Sequence, residues 1–220
     1  MPRALIGSPS PEDKADAIAM FGSTVSRETW ERLEQFVDLL LKWQSSTNLI
    51  ASSTVPALWT RHVADSLQLV PIVPNVHRWI DLGAGGGFPG LVIACALAGK
   101  PGAEVHLVES VQKKTAFLRA AAHELSLPAI VHAQRIEDFV TATTDRYDVV
   151  TARALAPLDR LIGYANPLLK RGAVGLFPKG QDVAAELTQA AKSWTIDADL
   201  VPSRTDPRSR IVRVRHASKR

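Results

Sequence analysis

The chain has 220 residues, with 26 Lys or Arg against 22 Asp or Glu, a formal net charge of +4 and a hydrophobic fraction of 46%. This composition is typical of a folded soluble domain and excludes an intrinsically disordered chain. The apolar run at residues 91–98 is too short for a membrane span, the N-terminus lacks a signal-peptide core, and the single cysteine and the histidine spacing exclude a disulfide scaffold or zinc ribbon. We therefore expect a cytoplasmic protein with no membrane segment and no metal.

The N-terminal part is predicted to contain a flexible arm and a helical extension. Residues 1–25 are assigned to the arm, because they are rich in Pro, Ser, Ala and charge without a sustained period. After Ser26, a suitable N-cap, apolar residues recur with the period of an amphipathic helix, namely at Trp30, Leu33, Val37, Leu40 and Leu41. A second helix is predicted between Pro56 and Pro71. Together these helices form an extension over residues 26–75.

After Pro74, short apolar runs alternate with helical segments. The runs are residues 79–82, 104–109, 129–133, 147–151 and 173–177, and the helices between them begin near Pro89, Gln112, Ala156 and Asp182. Residues 195–201 and 211–214 then form two strands without a helix between them. The pattern predicts an α/β domain over residues 76–216, with a doubly wound, mostly parallel seven-stranded sheet whose last strand is antiparallel.

Basic residues are concentrated at the C-terminal end. Residues 204–220 carry seven Lys or Arg and one Asp, a net charge of +6, so the remaining 203 residues carry −2. Residues 217–220 are assigned to a basic tail beyond the last strand. Such a cluster indicates either a surface for a polyanion or a solvated chain end, and composition does not separate the two.

A glycine-rich loop, Asp81-Leu-Gly-Ala-Gly-Gly-Gly-Phe-Pro-Gly90, follows the first predicted strand and precedes a predicted helix. Gly85, Gly87 and Gly90 match G-x-G-x-x-G, in which glycines allow positive φ and bring the backbone close to a ligand at the helix N-terminus. Glu109 ends the second strand, where it can accept hydrogen bonds from both ribose hydroxyls. The pattern predicts a nucleoside-bearing cofactor.

Two features favour S-adenosylmethionine over a nicotinamide cofactor. The Asp81 carboxylate would repel a pyrophosphate but suits the ammonium group of a methionine moiety, with helix capping as the alternative role. Ile136 and Glu137 follow the third strand, where an apolar side chain and a backbone N–H can contact an adenine, with a capping turn as the alternative.

The absence of certain sequence motifs reduces the number of atoms that the enzyme could methylate. Methylation of a pyrimidine C5 needs a cysteine nucleophile, but Cys95 lies in an apolar helical run that predicts a core thiol. Methylation of an exocyclic amine usually uses an Asn/Asp-Pro-Pro-aromatic turn, whereas residues 149–154 read Val-Val-Thr-Ala-Arg-Ala. Guanine N7 has a free lone pair and needs only in-line placement, without a general base. Arg153 and Lys179 would then face guanine O6 or a phosphate, or would be plain surface charges.

Six segments stand out in chain order: Asn48-Leu49-Ile50, Arg61-His62 with Asp65-Ser66-Leu67, the glycine-rich loop, Glu109-Ser110 with Lys113-Lys114 and Phe117-Leu118, Thr151-Ala152-Arg153-Ala154, and Lys179-Gly180. Over residues 26–215 this set resembles the RsmG family, also called glucose-inhibited division protein B. Three departures are mild: Glu109 stands where many members have Asp, Ile50 where Thr is common, and Thr151 where Ser is common.

The resemblance implies a class I, Rossmann-like methyltransferase that uses S-adenosylmethionine to modify N7 of a guanine in bacterial 16S ribosomal RNA, in the loop conventionally numbered around 527 to 530. With the residues discussed above, the expected cofactor contacts are Asp81, Gly83, Gly85, Phe88, Glu109, Ile136, Glu137 and Arg153. Candidates for positioning the substrate are Arg153, Lys179, His62, Asp65 and Asn48, and no catalytic residue is assigned. The expected partner is 16S ribosomal RNA or the small ribosomal subunit, bound by a monomer.

Several alternatives stay open at this point. His62 and Asp65, three residues apart on a helix, either orient each other beside the cofactor or serve packing alone, and Asp65 could instead pair with Arg61 on the helix surface. The competing functions are a methyltransferase for a small molecule or protein, a nicotinamide-dependent reductase, and an RNA-binding Rossmann domain without catalysis.

Overall fold

A seven-stranded sheet lies at the centre of the computed structural model, which describes residues 7–220. Its strands are β1 (Arg78–Leu82), β2 (Glu104–Glu109), β3 (Ala129–Ala133), β4 (Val149–Thr151), β5 (Val174–Lys179), β6 (Trp194–Pro202) and β7 (Arg210–Lys219). Across the sheet they follow the order β3-β2-β1-β4-β5-β7-β6, and β7 runs antiparallel to both of its neighbours while the other pairs are parallel. The predicted fold class is confirmed.

Helices cover both faces of the sheet. They are α1 (Pro11–Phe21), α2 (Arg27–Gln44), α3 (Asp65–Leu67), α4 (Gly90–Leu97), α5 (Gln112–Glu124), α6 (Ile136–Ala142), α7 (Leu158–Leu169) and α8 (Val183–Ala190). Alternate strand residues point to opposite faces, so Trp79 packs in the core with α1, α2, α4 and α5, whereas Ile80 packs in the core with α6, α7 and α8. The N-terminal helices therefore share one core with the sheet.

Helix α2 has the predicted amphipathic form, with the Ser26 hydroxyl accepting a hydrogen bond of 3.3 Å from the Thr29 N–H at its start. The second predicted helix is helical but not a regular α-helix. It consists of a 3₁₀ turn (Ser52–Ala57), a π-helical turn (Trp59–Ala64), α3 and a second 3₁₀ turn (Val70–Ile72). Because prolines at positions 56 and 71 cannot donate a backbone hydrogen bond, they interrupt a regular helical ladder.

Helix α1 corrects the prediction of a flexible arm. The Ser10 side chain caps its first turn, and the Asp13 carboxylate accepts a hydrogen bond of 2.7 Å from the Trp59 N–H, 46 residues away. Ala17 and Phe21 are buried in the core. The apolar periodicity of residues 11–21 is too weak to predict this helix. The helix is stabilised instead by contacts with residues far away in the chain. Residues 1–6 of the predicted arm lie outside the described residues.

The last two strands form the predicted hairpin, joined by a turn at residues 203–209, hereafter the β6–β7 turn. The predicted basic tail at residues 217–220 is wrong for residues 217–219, because β7 continues to Lys219 and pairs with Trp194. Arg220 also donates its backbone N–H to Ser193 at 3.0 Å. Within residues 7–220, no helix combines the length and apolar character needed to cross a bilayer.

Candidate functional site

The predicted site residues gather at the carboxyl edge of the parallel strands. At this edge β1 pairs with β2 on one side and β4 on the other, so the chain connections diverge and open a crevice between them. Crevices at such switch points are the usual ligand sites of doubly wound sheets. The glycine-rich loop follows β1, Glu109 ends β2, and Arg153 follows β4.

Glu109 holds the glycine-rich loop against the end of β2. Its Oε2 accepts a hydrogen bond of 3.0 Å from the Gly85 N–H, and its Oε1 accepts one of 2.8 Å from the Val111 N–H. Gly85 has φ +54°, and Gly83, which donates to the Val108 carbonyl at 2.9 Å, has φ +76°. An ionised carboxylate has lone pairs for about four hydrogen bonds, so Glu109 retains the capacity to accept ribose hydroxyls as well.

The Asp81 side chain, near the end of β1, stabilises the other end of the glycine-rich loop. Its Oδ2 accepts a hydrogen bond of 2.9 Å from the Gly90 N–H at the start of α4, and its Oδ1 accepts one of 3.1 Å from the Thr151 hydroxyl. The side chain is 1% exposed, and burial raises its pKa to about 7. This is the capping role that the sequence offered as the alternative. The contact of Asp81 with a cofactor ammonium group stays a prediction.

Ile136 and Glu137 form the first turn of α6, directly beyond the end of β3. Since Ala133 is paired with Glu109 in the sheet, this turn lies beside the end of β2. Ile136 is half-buried, and Glu137 is exposed with a pKa lowered by the free backbone N–H of its own turn. No side chain forms a cap hydrogen bond at the start of this helix, and the adenine contact stays a prediction.

Arg153 is held by groups from two distant segments. Its Nη2 donates to Nδ1 of His62 at 2.8 Å, and its Nη1 donates to the carbonyl of Arg61 at 3.2 Å. Nη1 also lies 3.6 Å from Oδ2 of Asp65, and the guanidinium carbon lies 5.4 Å from the centre of the Phe88 ring. These contacts fix the guanidinium in one orientation at the mouth of the crevice.

His62 is neutral and fully engaged. An arginine can only donate, so Nδ1 is the acceptor and the proton is on Nε2, which donates to the Thr54 hydroxyl at 2.8 Å. Burial, together with the nearby charge of Arg153, lowers the His62 pKa to about 3. The ring also packs on Phe88, with centroids 5.0 Å apart. Neither nitrogen is free to take a proton from a substrate.

Asp65 does not pair with His62 or Arg61 as the helix spacing suggested. Its carboxylate instead lies near Arg153 and accepts hydrogen bonds from Gln68 at 2.8 Å and from the Thr205 hydroxyl at 3.0 Å. His62 and Asp65 are thus connected through Arg153. Helix geometry alone did not indicate this, because Arg153 and Thr205 are 88 or more residues away along the chain.

Lys179 and Asn48 lie apart from this cluster. The Lys179 ammonium donates to the Ala156 carbonyl at 2.8 Å and pairs with Glu186 at 2.7 Å, so its charge is already compensated. Asn48 is exposed, and its neighbour Leu49 packs so closely on the glycine-rich loop that a Cβ at Gly86 would lie 2.8 Å from the Leu49 carbonyl. Their substrate contacts stay predictions.

No sequence pattern indicated the role of Gln44. Its buried amide accepts hydrogen bonds from the Leu49 and Ile50 N–H groups at 2.9 and 3.1 Å and donates to the Ile50 carbonyl at 2.7 Å. These bonds hold the segment after α2 against the glycine-rich loop. A polar residue near the end of an amphipathic helix carries no signal that it is buried, so only its partners reveal the function.

Beside Arg153 opens a cleft of about 850 Å³. Its walls come from the helical extension, the ends of β4 and β5, and the β6–β7 turn. Its basic side chains are Arg61, Arg153, Lys179, Arg208 and Arg210, and its acidic side chains are Asp65, Glu186 and Asp206. We call this the basic cleft. A net positive cleft concentrates anionic ligands near its walls.

The basic residues of the C-terminal cluster are not equivalent. The Arg204 guanidinium lies 4.2 Å from the Phe21 ring centre and donates to the Met20 carbonyl, so it packs on α1. The cross-strand ion pairs Arg213–Asp199, at 2.9 Å, and Arg215–Asp197, at 2.8 Å, neutralise two further charges. Of this cluster, Arg208 and Arg210 line the basic cleft.

Cys95 is the core thiol that its apolar run predicted. It is buried in α4, and burial raises its pKa to about 12, so it is not a thiolate at neutral pH. Across residues 7–220, no three His, Cys, Asp or Glu side chains come together in a way that could hold a metal ion.

Comparison with known proteins gives consistent matches. The profile of the GidB family, described as rRNA small subunit methyltransferase G, matches residues 29–210. "Ribosomal RNA small subunit methyltransferase G" of Bradyrhizobium sp. strain BTAi1 is 57% identical over 202 residues, which are 92% of this chain and 90% of that protein. The proteins of the same name from Nitrobacter hamburgensis and Parvibaculum lavamentivorans are 52% and 50% identical, covering 100% and 95% of this chain and 84% and 92% of their own lengths.

Among solved structures, the fold resembles the O-methyltransferase TomG from Streptomyces achromogenes, solved in complex with SAM. The TM-score is 0.56 at 13% sequence identity, over 94% of this chain and 99% of that one. At so low an identity the likeness concerns the fold alone.

Proposed function

The chain belongs to the GidB family of rRNA small subunit methyltransferases G, and from this we propose that it methylates N7 of a guanine in 16S ribosomal RNA, around position 527, with S-adenosylmethionine as the methyl donor. One observation carries the choice of N7: the histidine beside the crevice is neutral, and both of its nitrogens are occupied by Arg153 and Thr54. A target that needs no deprotonation suits such a site.

When bound, S-adenosylmethionine supplies an electrophilic methyl group on a sulfonium sulfur. The residues around the crevice fit such a molecule. Glu109 accepts the ribose hydroxyls while it braces Gly85, and the positive-φ glycines leave room for the ligand beside the backbone. Ile136 supplies an apolar surface for the adenine at the start of α6. TomG, which has the same fold, was solved with this molecule.

The chain contributes placement and charge to the reaction. Guanine N7 carries its lone pair outside the aromatic sextet and attacks without losing a proton, so in-line orientation supplies much of the acceleration. Arg153 has five N–H donors, and His62 and the Arg61 carbonyl engage two of them. A remaining N–H donates to guanine O6 or to a phosphate and thereby orients the base.

The basic cleft receives the RNA. Arg208 is 72% exposed on the side chain and pairs with Asp206 within its own turn, and Arg210 donates to the Pro207 and Ser209 carbonyls. Both keep further N–H groups for phosphate oxygens. Lys179 contributes to the potential but is tied to Glu186. We therefore assign the phosphate contacts to Arg208 and Arg210 on one wall and to Arg61 on the other.

The proposal is tested by mapping the modified atom. Purified protein, labelled S-adenosylmethionine and either 16S RNA or small ribosomal subunits from a strain lacking the protein are incubated, and 7-methylguanosine is located by borohydride reduction and aniline cleavage. Cleavage at a single guanine near position 527 is expected. A label on another atom, or on no RNA, contradicts the proposal.

The no-base mechanism and the competing reductase are tested separately. Single-turnover rates at saturating ligands should vary little between about pH 6.5 and 8.5. A log-linear rise of the rate with pH that His62→Ala abolishes would make His62 a catalytic base.

S-adenosylhomocysteine at about 100 times its dissociation constant should add roughly 2.7 kcal/mol to the free energy of unfolding, and NADH should add none. Stabilisation by NADH instead would favour the reductase.

A further inference from the structure

We propose that Gln68 and Asp65 are positioning residues for the RNA: they hold the β6–β7 turn against the helical extension, and so set the distance between its arginines and Arg153. The inference rests on the proposed function, because it assigns these residues a task in RNA binding. It gives a role to two side chains to which we assign no direct contact with the RNA or with S-adenosylmethionine.

Gln68 is buried just after α3 and faces the β6–β7 turn. Its Oε1 accepts a hydrogen bond of 2.8 Å from the Arg204 N–H, and its Nε2 lies 3.3 Å from the Ser203 hydroxyl and 2.8 Å from Oδ1 of Asp65. One amide therefore connects the extension to the start of the turn, 135 residues away along the chain.

Asp65 joins both walls of the basic cleft. Its Oδ1 accepts from the Thr205 hydroxyl at 3.0 Å, and its Oδ2 lies 3.6 Å from Nη1 of Arg153. The same carboxylate thus contacts the turn and the guanidinium at the mouth of the crevice. Displacement of the turn from Asp65 would alter the surroundings of Arg153 as well.

Hydrogen bonds within the turn continue from this attachment toward its arginines. The Ser203 hydroxyl accepts hydrogen bonds from the Thr205 and Asp206 N–H groups at 3.2 and 3.3 Å, and Asp206 then accepts from the Arg208 N–H at 2.9 Å. The chain of contacts runs from Gln68 through Ser203 and Asp206 to Arg208. A turn that is already ordered avoids the entropic penalty of immobilising its arginines when RNA binds.

The test compares RNA affinity in single and combined variants of the full-length protein. Gln68→Ala should weaken binding of a 16S RNA fragment about 5- to 10-fold, with S-adenosylhomocysteine affinity unchanged within about twofold. Arg208→Gln with Arg210→Gln should also weaken RNA binding, and adding Gln68→Ala to that pair should cause little further loss. Gln35→Ala, an exposed glutamine on α2, is the matched control and should leave RNA affinity unchanged.

A second pair of variants covers the case in which Gln68→Ala does not fold. Thr205→Val removes the hydroxyl that Asp65 accepts from while keeping the side-chain shape, so it should weaken RNA binding, whereas Thr205→Ser keeps the hydroxyl and should retain it.

The outcomes separate the two proposals. If Arg208→Gln with Arg210→Gln leaves RNA affinity unchanged, the proposed RNA contacts are wrong. If that pair weakens binding but Gln68→Ala and Thr205→Val do not, the positioning role is overturned. Equal losses from Gln68→Ala with and without the arginines, or a parallel loss of S-adenosylhomocysteine binding, would indicate general structural support and would also overturn it.

Discussion

Nη2 of Arg153 donates a hydrogen bond of 2.8 Å to Nδ1 of His62, 91 residues earlier in the chain. The bond joins the loop after β4 to the π-helical turn of the extension, and it fixes the imidazole as the tautomer with the proton on Nε2. It also gives Arg153 a neutral partner in place of a second acid, so the guanidinium retains positive charge toward the basic cleft. The same contact makes His62 unsuitable as a base.

The buried imidazole predicts a pH dependence of stability. Since the folded-state pKa of His62 is about 3 and the usual value is 6.5, the unfolded chain binds the proton first as the pH falls. The free energy of unfolding should therefore decrease between pH 6.5 and about 3, by at most about 1.4 kcal/mol per pH unit from this group. His62→Asn keeps an acceptor for Arg153 and should have a shallower slope in urea unfolding at pH 6.5, 5.5 and 4.5. Parallel pH profiles for the two proteins would contradict the assignment.

Removal of the Glu109 carboxylate should weaken cofactor binding. Glu109→Ala deletes a charged acceptor of hydroxyl hydrogen bonds, worth about 1.5 to 3 kcal/mol, and also releases the Gly85 and Val111 N–H groups. S-adenosylhomocysteine affinity should fall roughly 10- to 150-fold by calorimetric titration. Glu104→Ala, at the opposite end of β2, should leave the affinity unchanged. Equal binding by the Glu109 variant would mean that the ribose lies elsewhere.

Two glycine-to-alanine substitutions should have opposite effects. A Cβ at Gly90 would lie 2.2 Å from Cδ2 of Leu107 and 2.8 Å from Oδ2 of Asp81, so Gly90→Ala should destabilise the fold by about 1 to 3 kcal/mol. A Cβ at Gly163, within α7, meets Trp194 at an ordinary 3.6 Å. Gly163→Ala should stabilise by about 0.5 to 1 kcal/mol through helix propensity. Thermal unfolding of both variants measures the contrast, and a neutral Gly90→Ala would show that the start of α4 can shift freely.

The basic residues of the β6–β7 hairpin should contribute unequally to the salt dependence of RNA binding. Arg208→Gln with Arg210→Gln should make the slope of log affinity for single-stranded RNA against log salt shallower by about 1.4, at roughly 0.7 per phosphate contact. Arg213→Gln with Arg215→Gln removes the same charge, but these arginines are paired with Asp199 and Asp197. That control should change the slope less. Equal changes in the two double variants would indicate a diffuse field instead of specific contacts.

Local patterns in the sequence were sufficient for the order of the seven strands. The alternation of apolar runs and helical segments, the glycine-rich loop after β1 and the acid at the end of β2 are all encoded within a few residues, so their periods and spacing are visible without a structure. The predicted bounds of β2 and β3 agree with the observed strands, and α5 begins at the predicted Gln112. The family motifs are equally local.

The tertiary structure decided which polar groups work together. Whether α1 is a flexible arm or a packed helix depends on Asp13 reaching Trp59, and whether Asp81 faces a ligand or caps α4 depends on how deeply β1 is buried. Arg204 and Arg208 are equivalent by composition, yet one packs on Phe21 and the other lines the basic cleft. The physical reason is that burial and pairing of a charge depend on residues far away in the chain, and periodicity carries no information about them.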